Sequence, residues 1–193
     1  MVGPGRNASC SCGSGLKYKR CCELGFTEAD ELAVIRALGR VATEGPPREL
    51  AELERRYFGP LGRYGASRED VRCYSHWIHF DACLSDGSRL ADAVLGSYRL
   101  ARGERTFLHM MRGTAMRLYE FLALTPKVAT LRDLLTGDRV TVNSESLPGE
   151  TTRSNLVLAR IIPRGVTGWP ELGGARFLFP ATMRDELLSR LQR

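Results

Sequence analysis

Four of this chain's six cysteines fall within thirteen residues, as Cys10, Cys12, Cys21 and Cys22, with the spacing C-x-C-x8-C-C. Two thiolate pairs joined by a short loop can supply the four donors of a tetrahedral zinc site, with Zn–S bonds of about 2.3 Å. The same sulfur set suits iron. Gly13 and Gly15 permit the positive-φ turns that fold such a loop back on an ion, and they leave backbone N–H groups free to point at sulfur. Four thiolates around one dication leave a net negative site. Arg6, Lys17, Lys19 and Arg20 stand close enough in sequence to compensate it and to hold the thiol pKa values down. Tyr18 is the one large ring in the segment and is the candidate cover for the cluster. Sulfur fills the whole tetrahedron, so no position is left for a reacting water. The spacing therefore predicts a structural metal site. A segment this short buries too little to fold unaided, so the metal supplies its folding energy.

The charge pattern marks the same segment. The chain has 193 residues, a formal net charge of +6 and a pI near 9.2. Residues 1–26 carry a net +3, residues 27–113 balance thirteen arginines against thirteen acids, and residues 114–193 carry a further +3. An excess of this size is compatible with nucleic-acid, ribosomal or acidic-protein partners and identifies none of them. Of the 28 basic residues only Lys17, Lys19 and Lys127 are lysines. Two of those three lie in the cysteine segment, where a compact ammonium is preferred over the planar arginine fork.

Gly5, Arg6, Asn7, Cys10, Cys12, Gly13-Ser14-Gly15, Lys17-Tyr18-Lys19 and Cys21-Cys22 together resemble the SEC-C motif. That is the short zinc-binding module found at the C-terminus of the SecA translocation ATPase and in many smaller bacterial proteins. The chain departs from the family pattern at Ser9 and Ser11, where proline is usual, and at Leu16, where lysine is usual. None of the three is a ligand. The resemblance covers about a tenth of the chain. It implies Cys10, Cys12, Cys21 and Cys22 as zinc ligands and a docking role toward a secretory chaperone, lipid head groups or the ribosome. Arg6, Lys17, Tyr18, Lys19 and Arg20 are the expected partner-binding residues.

Three other constellations carry weaker chemistry. Cys73, His76, His79 and Cys83 share one stripe of an expected helix, but the two cysteines are about 15 Å apart along its axis. All four cannot reach one ion, so they read as two buried or boundary cysteines beside two helix-surface histidines. Glu120 and Arg160 interrupt two apolar alternations, Met116-Leu118-Leu122-Leu124 and Leu156-Leu158-Ile162. A charge there costs several kcal/mol unless paired. The expectation is a structural ion pair between Glu120 and Arg160, or between Arg160 and Asp133. Tyr119, Phe121, Trp169, Phe177 and Phe179 lie among Arg117, Arg139, Arg153, Arg164 and Arg176. This set reads first as core rings beside a solvated basic face, and as an alternative a base-stacking nucleic-acid surface.

The elements that must position these residues follow from caps and breakers. Thr27 caps a helix with Leu32, Ile35, Leu38 and Val41 inward, and Pro47 opens a second with Leu50, Leu53 and Tyr57 inward. Ser67 caps a third running to about Leu84. Ser88 caps a fourth near 89–102, and a fifth covers about 104–112. After Gly113 the pattern turns to strands at 116–124, 128–132, 139–143, 155–162 and 175–179, closed by a helix over 181–192. The expected fold class is α+β: an N-terminal zinc knuckle at 1–26, a helical segment at 27–113, and a small SH3- or OB-like antiparallel β-unit with a closing helix at 114–193. No phosphate loop, dinucleotide glycine loop, H-E-x-x-H or G-x-S-x-G occurs, so no enzymatic activity is expected. The first residues carry no apolar signal core and no apolar run is long enough to span a bilayer, so the expected location is the cytoplasm. The expected function is that of a zinc-binding adaptor docking on a protein or ribosomal partner, with nucleic-acid binding by the β-unit as the alternative.

Overall fold

The computed structural model describes residues 5–10, 15–20, 23, 25–147, 151–152, 155–162 and 169–191. The chain is a mixed helix and antiparallel-sheet protein, of the α+β class. Its described residues divide into two compact units, with the break between Ala115 and Met116.

The first unit is helical. Helix α1 spans Glu28–Glu44 and opens on a reciprocal capping box: Asp30 N–H donates to the Thr27 hydroxyl at 3.3 Å, and Thr27 N–H donates to the Asp30 carboxylate at 2.8 Å. Helix α2, Pro47–Phe58, starts on proline, whose missing N–H is no loss in the first turn, and stops at Gly59 with φ 82°. Helix α3, Arg68–Phe80, repeats the capping box with Ser67 and Asp70. Helices α4, Leu90–Ser97, and α5, Arg102–Gly113, complete the unit. Its core is formed by Val34 and Leu38 of α1, Phe80 of α3, Val94 of α4, and Phe107 and Met111 of α5, all inaccessible to solvent.

Three expectations for this unit shift. The buried face of α1 runs through Val34, Ala37 and Leu38, while Leu32 is exposed. Helix α3 ends at Phe80 and not at Leu84. Helix α4 begins after Arg89 because the Ser88 hydroxyl donates to Asp86 in a local turn, and Arg89 N–H instead donates to Asp92. It stops at Ser97, beside Gly96, a poor helix former.

The second unit is a half-barrel sheet of five antiparallel strands: β1 Met116–Leu124, β2 Val128–Asp133, β3 Arg139–Asn143, β4 Leu156–Ile162 and β5 Glu171–Phe179. Their order is β3-β2-β1-β4-β5. Where the sequence reading allowed a small closed barrel, the sheet is a curled ribbon whose two edges meet at a corner. There Asn143 N–H donates to the Pro170 carbonyl at 2.8 Å. Hairpin turns hold the register. Thr125 clasps Val128 through its hydroxyl, and Gly137 with φ 79° closes the β2–β3 turn onto the Asp133 carbonyl. A 3-10 turn over Ala181–Met183 leads into helix α6, Arg184–Leu191.

The clustered core of the sheet contains Tyr119, Phe121, Leu131, Val142, Val157 and Ala159. On β1 these are the odd-numbered residues, whereas the apolar alternation suggested the even ones. The reason is that Leu118, Leu156, Arg160 and Ile162 on the other face are also buried, so both faces hide apolar side chains and alternation loses its power to choose.

Candidate metal centre

The cysteine segment folds as a small hairpin. Ser9 and Lys17 form an isolated antiparallel bridge. Around it, Cys10 N–H donates to the Leu16 carbonyl at 2.8 Å, Tyr18 N–H to Ala8 at 2.8 Å and Lys19 N–H to Arg6 at 3.0 Å. Gly15 takes φ 71° at the turn, a conformation that strains any residue with a Cβ. A 3-10 turn over Tyr18–Arg20 follows the bridge. Cys10 is buried, at 6% exposure, in a segment that is otherwise largely open to solvent. Cys12, Cys21 and Cys22 lie outside the described residues. The hairpin fits the metal reading in two respects: a buried thiol at its first arm and a positive-φ glycine between the cysteine pairs.

Of the expected docking residues, Lys17 and Arg20 are exposed, and Tyr18 and Lys19 are half-buried. Arg6 is largely exposed and pairs with Glu23 at 2.7 Å, a partner the sequence reading counted only in the charge balance. Phe26 packs at a tilt against Phe107 of α5 with centroids 4.9 Å apart, which ties the end of this segment to the helical core.

The stripe on α3 separates as its geometry required. Cys73 is buried, and burial, with Asp70 and Glu69 adding to it, pushes its thiol up to about 12. Cys83 lies beyond the end of α3 and is exposed. The two histidines expected at the helix surface are instead half-buried, and burial lowers His79 to about 4, so its imidazole is neutral at pH 7. Among the described residues no three His, Cys, Asp or Glu side chains gather as a ligand set.

The ion pairs of the sheet correct the expected pairing. Glu120 binds Arg132, which stands directly opposite it on β2. On β4 the residue opposite Glu120 is Leu156, and Arg160 lies four residues further, about 13 Å along the strand. Glu120 and Arg160 share a face and are too far apart along it to meet. Asp133 lies in register with Tyr119, on the opposite face from Arg160, and binds Arg117 at 2.9 Å. Burial raises the Asp133 carboxyl, but the Arg117 bond and the N–H groups of Leu135 and Thr136 outweigh it and leave the pKa low. Cross-strand register held the missing signal, since opposite charges at facing positions are favoured. Arg160 itself is fully buried.

Of the ring set, Tyr119 and Phe121 are core residues, so they offer no stacking face. Trp169 is 56% exposed, and Phe177 and Phe179 are half-buried with centroids 6.1 Å apart. The side chains of Arg153, Arg164 and Arg176 lie outside the described residues.

The chain carries a SEC-C motif, the family whose pattern matches residues 6–24. Over 20 residues it is 85% identical to the UPF0225 protein SG1365 of Sodalis glossinidius (strain morsitans). That match covers 10% of this chain and 13% of the relative's length. No solved structure gives a significant match to the chain. No helix among the described residues is long and apolar enough to cross a membrane.

Proposed function

We propose that this chain is a non-enzymatic, zinc-binding docking protein whose SEC-C hairpin carries the contact with a protein or ribosomal partner. The observation that carries this reading is the pairing of the SEC-C match at residues 6–24 with a hairpin that buries Cys10. Cys10, Cys12, Cys21 and Cys22 would hold the ion, which supplies folding energy to a segment without a core. The basic residues act outside that shell. Lys17 and Arg20 present charge to an acidic surface, Arg6 and Glu23 brace the hairpin, and Tyr18 covers its base.

Recovery of partners from bacterial extract tests the docking role. The wild type should retain a defined protein or ribosomal fraction. The Lys17→Ala/Arg20→Ala variant, which leaves Arg6 and Lys19 beside the thiolates and adds no negative charge, should lose it while keeping its metal. Retention by that variant would remove the hairpin from the contact.

A further inference from the structure

A cavity of about 360 Å³ lies inside the helical unit, between the C-terminal end of α1, helix α2 and the second half of α3. That volume falls within the range of about 300–1,000 Å³ that small-molecule pockets occupy. Its walls are mostly apolar: Ala42 of α1, Pro47, Leu50 and Ala51 of α2, and Ile78 of α3.

The polar groups of the lining divide into those already engaged and one that is not. The Thr43 and Ser75 hydroxyls donate to the Gly39 and Val71 carbonyls one turn back, at 2.9 Å each. Glu54 and Arg63 close on each other at 2.9 Å, and the Arg63 guanidinium lies over the Tyr74 ring at 4.9 Å from its centroid. The one carboxylate and the one guanidinium of the lining therefore neutralise each other. His79 differs from all of these. Its ring meets the Phe80 ring edge-on, and it makes no hydrogen bond to the described residues. Burial alone lowers its pKa, with no charged group contributing, so its end of the cavity is free of charge. The neutral imidazole offers one N–H donor and one nitrogen acceptor to the cavity. Leaving such groups buried and unmatched is unfavourable.

These features select the ligand. A charged molecule would give up its hydration and find no free counter-charge, because Glu54 and Arg63 are spent on each other. A wholly apolar molecule would leave the imidazole unmatched. A hydroxyl group both donates and accepts, as the imidazole does. We propose that this cavity binds a small, uncharged, largely apolar alcohol or phenol, with its hydroxyl on His79 and its hydrocarbon body against Leu50 and Ile78. This reading is independent of the docking role of the hairpin.

Titration of benzyl alcohol into the nitrogen-15-labelled full chain, followed by amide chemical shifts, tests it. Benzoate and benzylamine serve as charged probes of nearly the same shape. Benzyl alcohol should give saturable shifts at the residues of α1, α2 and α3 around the cavity. Both charged probes should bind at least about tenfold more weakly, since each would be buried without a free counter-charge. His79→Leu keeps the wall apolar and removes the hydrogen bond, and it should weaken benzyl alcohol by about threefold to tenfold. Ala42→Phe fills the cavity from α1 and should abolish the shifts. Circular dichroism checks that each variant keeps its helices, and either folded variant suffices beside the probe comparison. Absence of saturable shifts at the cavity would mean that it holds solvent only and would overturn the proposal. Equal binding of the three probes, or benzyl alcohol binding unchanged in the folded variants, would overturn it as well.

Discussion

His79 and the two cysteines flanking it show how environment separates like groups on one stretch of chain. Burial holds the His79 imidazole near pKa 4 against an ordinary 6.5, so between those values the folded state binds fewer protons than the unfolded one. The stability this group contributes is complete above 6.5 and is lost as pH falls toward 4. Urea midpoints across that window should therefore fall with pH in the wild type and fall less steeply in His79→Gln. An equal slope in the two proteins would show that His79 titrates normally. Cys73 and Cys83 should differ in the same experiment's native buffer. An exposed thiol is open to reagent, whereas a buried one pushed up to about 12 has almost no thiolate at neutral pH. Brief labelling with a thiol reagent followed by mass spectrometry should modify Cys83 and leave Cys73 untouched until the chain is unfolded.

At the scale of elements, the junction of α1 and α5 is the tightest constraint the helical unit offers. A Cβ built on Gly103, near the start of α5, would overlap the Asp30 carboxylate, which closes the α1 capping box. Gly103→Ala should therefore destabilise the protein by about 1–3 kcal/mol, despite alanine's better helix propensity. Asp30→Ala should cost about 1 kcal/mol through the lost cap. The double variant should cost less than the sum, because the alanine at 30 vacates the space that the new methyl needs. Thermal unfolding of the three variants decides it, and strict additivity would refute the contact.

Helix starts were legible in the sequence because Thr27, Pro47 and Ser67 each cap or open a helix by local chemistry. Strands β1 and β3 were legible to the residue because Gly113, Pro126 and Gly137 punctuate them. What local pattern could not supply was anything set by a partner strand. The choice of inward face on β1 and the ion pairs of Glu120 and Asp133 all depend on register. Likewise Ser88 looked like a cap and is spent on Asp86, and no signal in the sequence separates the two uses. In the cysteine hairpin the positive-φ Gly15 was legible, while the Arg6–Glu23 brace and the Phe26–Phe107 tie needed coordinates.

At the scale of the molecule, the cysteine hairpin stands apart from the helical core in what holds it together. Its described backbone is joined by a handful of hydrogen bonds, and Cys10 is its one buried residue among those described. The helical unit is organised around Val34, Phe80 and Phe107, and the sheet around Phe121 and Leu131, all outside the motif. Metal binding and the folding of residues 27–193 should therefore be separable. The measurement that tests this most directly is metal content by elemental analysis, read beside far-UV circular dichroism, for the wild type and for Cys21→Ser/Cys22→Ser. The account predicts one zinc per wild-type chain, no metal in the variant, and a helical spectrum that survives the loss. A wild type without metal, or a variant that unfolds throughout, would contradict it.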